Sequence, residues 1–158
     1  MKINKTLFLK ITICILAILT LLLGIFWLPH ILNLLGSNNR VYIELKKPII
    51  ILVYATIIPF FIVLKKAFKL LQYIEKGIVF SNKSVDFLKA IKYSGLIIGI
   101  IYSIGLVIFL INSKMGLTGY IIIAILIFAS VNISVFASVM EEILENGYEI
   151  KSENDLTI

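Results

Sequence analysis

The chain has 158 residues, 60% of them hydrophobic and only 15% charged, with a formal net charge of +6. Its mean hydropathy of +1.06 is far above what a soluble domain of this size needs, so a membrane protein is the class that fits. A single cysteine, Cys14, excludes an internal disulfide and a cysteine-based metal cluster.

Crossing a hydrocarbon layer about 30 Å thick takes on the order of 20 helical residues. Four apolar runs pass that test, at about 7–28, 48–64, 93–111 and 117–139. They are continuous, without the two-residue alternation of a transmembrane barrel strand. The predicted fold is therefore an all-α integral membrane protein, one domain of four transmembrane helices.

The first run follows the basic start MKINKTLFLK. It is too long for a signal peptide and lacks a small-residue cleavage site before Pro29, so it reads as a retained span. Trp27, and Tyr42 beyond it, suit an interfacial aromatic belt. In the second run Pro59 is expected to kink the helix and free the carbonyl of Ala55, with Thr56 near enough to compensate. A static kink or a hinge would both follow.

The link at 65–92 opens with KKAFKLLQYIEKG, which continues span two as an amphipathic helix. Ala67, Leu70, Leu71 and Ile74 form its apolar stripe, with Lys65, Lys69, Gln72 and Lys76 elsewhere. Gly77 suits a C-cap, and Ser81 suits the N-cap of a second helix, with Phe80 and Val85 at the spacing of a hydrophobic staple. The link reads as an amphipathic helical hairpin. Basic helices of this kind lie on the inner leaflet, or less commonly form a docking surface.

Span three carries Gly95, Gly99 and Ser103, and span four carries Ser130, Ser134 and Ser138, a small residue at every fourth position. Such stripes let backbones approach in lipid, where no hydrophobic force drives helices together. In an antiparallel hairpin centred between Gly116 and Leu117, Gly95 would face Ser138, Gly99 would face Ser134 and Ser103 would face Ser130. Asn132 lies one position off the stripe, where an interhelical hydrogen bond is expected before any ligand role.

Orientation follows from the lysines. The N-terminal flank has Lys2, Lys5 and Lys10; the link has Lys65, Lys66, Lys69, Lys76, Lys83, Lys89 and Lys92; and the end has Lys151. Arg40, Lys46, Lys47 and Lys114 fall on the other side. Both termini are thus expected in the cytosol, with the protein multi-pass in the plasma membrane. The link has a net charge of +5 and the tail at 141–158 a net charge of −5. Either the lysines meet anionic headgroups while the tail stays solvated, or link and tail dock on each other or on a shared partner.

Catalytic chemistry needs an acid, a base or a nucleophile held by a partner. His30 is the only histidine, and the outer segment adds only Glu44. No zinc-protease, phosphate-loop or metal-ligand spacing occurs, so neither an enzyme nor a cofactor is expected. The cores of spans two to four carry no Asp, Glu, Lys, Arg or His, and a transporter would have to oligomerise to enclose a path.

The segments FWLP, PFFIVLKKAFKLLQYIEKGIVFSNKSVDFLKAIKY and IKSENDLTI together resemble the bacterial membrane family of unknown function DUF2975, the YoaS-like proteins. The resemblance rests on Trp27 and Pro29, Pro59 and Phe60, Phe80, Ser81 and Ser84, and the stretch from Lys151 to Thr157. The Lys-rich composition fits a Gram-positive source. The resemblance implies a small membrane protein encoded beside a helix-turn-helix regulator of the Xre type.

The function expected is non-enzymatic: binding or sequestering such a regulator through the cytosolic link and tail. The contact residues would be Lys65, Lys66, Lys69, Lys76, Lys83, Lys89, Lys92, Glu149, Lys151, Glu153 and Asp155. The other expected partners are the bilayer and a second copy of the chain; direct nucleic-acid binding is not expected. The alternative is protection against membrane-active peptides through the outer segment from Pro29 to Lys47 or the bundle. A small oligomeric transporter comes after that.

Overall fold

The computed structural model describes residues 2–30, 33, 40–112 and 116–156. Expectations placed on Lys114, Thr157, the Tyr42 side chain and most of the segment between spans one and two lie outside what is described. Helix α1 covers Lys2–Leu22 and continues through one π turn, Leu23–Trp27. Helices α2, α3 and α4 cover Arg40–Glu75, Asn82–Asn112 and Leu117–Leu156. Each of the four is long and apolar enough to cross a membrane, and the described residues contain no strand.

The π turn follows from Pro29. The Leu28 amide bonds to the Leu23 carbonyl, five residues back. In that ladder the Gly24 carbonyl would be served by residue 29, and proline has no N–H to give. Helix α2 supplies the missing donor: the Tyr54 hydroxyl donates to the Gly24 carbonyl at 3.0 Å. The absence of a side chain on Gly24 lets Ile57 pack close beside it.

Helix α2 begins well before Pro48 and runs through both Pro48 and Pro59 as one helix. Thr56 does not compensate the carbonyl that Pro59 frees. Its hydroxyl donates to the Val53 carbonyl at 2.8 Å and lies 3.1 Å from the Tyr102 hydroxyl of α3, both side chains buried. In lipid this buried pair ties the second and third spans.

The helices pack in chain order: α1 on α2, α2 on α3, and most extensively α3 on α4. The small-residue stripes lie in this last seam, about one turn away from the simple hairpin register. Gly95 faces Ser130 and Ser134, and Gly99 faces Ser130 and Val131, so Ser138 is not opposite Gly95. A Cβ on Gly95 would sit 3.1 Å from the Ser130 carbonyl oxygen, so this is the tightest backbone approach of the pair. Ser103 donates to the Gly99 carbonyl within its own helix at 2.7 Å. Asn132 is exposed and donates to the Phe128 carbonyl of its own helix at 2.7 Å, so that donation is not interhelical.

Helix lengths position the rest. At about 1.5 Å per residue, α2 is roughly 54 Å long and α4 roughly 60 Å, against a hydrocarbon layer of about 30 Å. No breaker separates Leu64 from Lys65, or Val139 from Glu141, so both helices run on past their apolar runs. The polar ends of α2, α3 and α4 therefore project as an extension of the bundle. They do not lie flat on a leaflet.

Candidate interaction surface at the polar end

The turn between α2 and α3 is built as its residues dictate. Gly77 adopts φ 70°, the left-handed conformation that ends a helix, and the Ile78 amide returns to the Tyr73 carbonyl at 3.0 Å. Ser81 then caps α3, with its hydroxyl oxygen accepting from the Ser84 amide at 3.4 Å and lying 3.1 Å from the Ser84 hydroxyl. Ser84 is fully buried. Val85 enters a core with Leu88, Ile91, Ala137 and Leu144, while Phe80 lies over Gly147 of α4. A side chain at 147 would overlap the Phe80 ring.

The oppositely charged link and tail meet. Lys92 reaches Glu141 at 2.7 Å, and its backbone carbonyl accepts from Ser134 at 2.9 Å. Their side chains are only 22% and 11% exposed, so this pair is shielded from solvent. One turn further out, Lys89 and Glu145 approach to 4.0 Å with half-exposed side chains, a contact worth little. On α2, Lys66 and Lys69 lie 5.3 and 5.9 Å from the centre of the Phe87 ring of α3, and Tyr73 meets the same ring edge-on. Lys10 of α1 pairs with Glu75 at the end of α2 and lies 5.6 Å from the Phe68 ring centre. The N-terminal end of α1, the α2–α3 turn and the end of α4 thus gather at one end of the molecule.

Glu75 lies beyond the apolar run that ends at Leu64. Hydrogen bonds from Lys10 and then Thr6 hold its carboxyl below the ordinary value of 4.5, against the opposing effect of desolvation.

A cleft of about 610 Å³ opens between the turn and the last turns of α4. Tyr73, Phe80 and Lys83 line one side, and Tyr148, Lys151 and Asp155 the other. Aromatic faces beside lysines suit an amphipathic surface segment of a protein. Of the residues singled out from sequence, Lys83, Lys151 and Asp155 come together here. Lys66, Lys69, Lys89 and Lys92 are engaged in interhelical contacts, while Lys65, Lys76, Glu149 and Glu153 sit exposed around them. Sequence reading missed Tyr73, Phe87 and Tyr148; their recurrence beside lysines was the available signal. Among the described residues, no group of three His, Cys, Asp or Glu side chains is placed to hold a metal.

These features define a multi-pass helical membrane protein with an assembled polar end. The chain belongs to the DUF2975 family of proteins of unknown function, whose model matches residues 3–158. It is similar to the uncharacterized membrane protein YoaS of Bacillus subtilis (strain 168), with 41% identity over 156 residues and 98% of each chain covered. No solved structure matches it.

Proposed function

We propose that this protein acts by binding and not by chemistry: its polar end docks a cytosolic protein, a helix-turn-helix regulator of the Xre type, and holds it at the membrane. The observation that carries this reading is the cleft between the α2–α3 turn and the end of α4. It joins the two most strongly charged segments of the chain into one surface, and the lysine excess at that end favours a cytosolic placement. The regulator's identity comes from the family resemblance; the surface itself calls for a partner that offers an apolar anchor and acidic side chains to Lys83 and Lys151.

The test is a crosslinking pull-down from native cells at matched membrane levels. It compares the intact protein with the Lys83→Glu, Lys151→Glu double variant, and with a chain truncated after Tyr148. Capture of a small DNA-binding protein by the intact form, lost in both variants, is the expected result. No enrichment over an unrelated four-span control would remove this function.

A further inference from the structure

The extensive helix contacts follow the chain order, and residues of all four helices come together on one face. A crevice of about 440 Å³ lies on that face within the apolar runs, and all four helices line it. Its walls include Thr20 and Leu23 of α1, Thr56 of α2, Tyr102 of α3, and Leu126 and Ala129 of α4. Leu23 and Leu126 are 41% and 38% exposed, so the apolar lining is continuous with the bilayer-facing surface between α1 and α4.

The wall hydroxyls decide what can enter. Thr20 donates to the Leu16 carbonyl at 2.7 Å, and Ser130, also on the wall, donates to the Leu126 carbonyl. Thr56 gives its one proton to the Val53 carbonyl, so at the Tyr102 contact it can only accept, and Tyr102 must donate. Every hydroxyl proton on the wall is spent within the wall. The hydroxyl oxygens can still accept, but a phosphate or carboxylate needs donors, and the wall has none left to give. At about 30 Å³ for a group the size of water, the space takes roughly fifteen such groups, the scale of one hydrocarbon chain.

We infer that the crevice is a lipid site: one acyl chain of a phospholipid enters between α1 and α4 and lies against the Thr56–Tyr102 pair. The headgroup stays outside, because the wall has no proton to offer it. The bilayer around the helices supplies the chain, and its contacts replace the dispersion energy that an open void between apolar walls would forfeit.

The experiment places the full chain in phosphatidylglycerol vesicles doped with phosphatidylglycerol that carries a photoactivatable diazirine midway along one chain. Labelled residues are read by mass spectrometry. Thr56 and Ala129 are expected to label several-fold more than Ile58 and Phe128, which face outward on the same helices at 68% and 71% exposure. Ala129→Trp puts an indole at the mouth of the crevice and should lower the excess at Thr56 while labelling at Ile58 persists. Tyr102→Phe keeps the space and should keep the excess. Equal labelling of wall and outward positions in the unmodified protein overturns the inference, whatever the fate of the variants. So does an excess at Thr56 that is undiminished in Ala129→Trp, or a wall labelled by a diazirine fatty acid and not by the phospholipid.

Discussion

Tyr54 of α2 donates its hydroxyl proton to the carbonyl of Gly24 in α1, across an interface with few other polar contacts. That carbonyl is the group left without an amide partner by Pro29, so the bond corrects a defect in one helix with a side chain from another. Tyr54→Phe leaves the carbonyl unsatisfied at membrane depth and should destabilise α1 against α2 by about 1 kcal/mol. Unfolding in mixed micelles, followed by energy transfer between labels on α1 and α2, measures it.

Gly95 and Gly99 both lie in the α3–α4 seam, yet their tolerances should differ. A Cβ at 95 meets the Ser130 carbonyl oxygen at 3.1 Å, whereas one at 99 meets Val131 at an ordinary 3.7 Å. Gly95→Ala should cost roughly 1–3 kcal/mol through overpacking against backbone, and Gly99→Ala well under 1 kcal/mol. The same seam gives a register test in a Cys14→Ser background. Gly99→Cys with Ser130→Cys, whose Cβ atoms would lie 3.9 Å apart, should form a disulfide readily, and Gly95→Cys with Ser138→Cys should not.

Lys92 and Glu141 form the shielded ion pair of the polar end. Breaking it from one side leaves a charge without its partner, so Glu141→Gln and Lys92→Gln should each lower stability, with the double variant recovering part of the loss. Lys89→Gln should shift stability by less than about 0.5 kcal/mol. Thermal unfolding of the four variants beside the unmodified protein in one detergent separates these outcomes.

Glu75 makes the contact between α1 and α2 sensitive to acid. Its carboxyl is held below its ordinary value of 4.5, so its stabilising effect is fully present above that value and is lost as pH falls through the lowered one. Labels on α1 and α2 should report loosening as the solution is acidified below pH 4.5, and Glu75→Gln should remove that part of the response.

The four spans were legible because apolar runs of this length have one solution in lipid, and the α2–α3 turn was legible because Gly77 and Ser81 carry local conformational signals. The one-turn offset of Gly95 against Ser134 was not, because counting outward from a hairpin centre ignores how the Gly116 turn and side-chain shape set the seam. Thr56 was read against Pro59 on its own helix, whereas its partner Tyr102 is distant in sequence. The run of α4 through Asn146 and Gly147 to Leu156 was hidden by composition: an acidic, polar stretch reads as solvated until Phe80 and Lys89 supply a surface for it. The cleft depended on that same juxtaposition.

The unbroken course of α2 from Arg40 to Glu75 has a mechanical consequence. A rod of about 54 Å that pivots by about 5° in the bilayer carries its far end through roughly 5 Å. Tilting is one of the ways in which a helix accommodates a mismatch between its apolar length and the bilayer. Because Tyr73 on α2 and Lys151 on α4 stand on opposite sides of the cleft, any change in the tilt of α2 relative to α4 would alter its width.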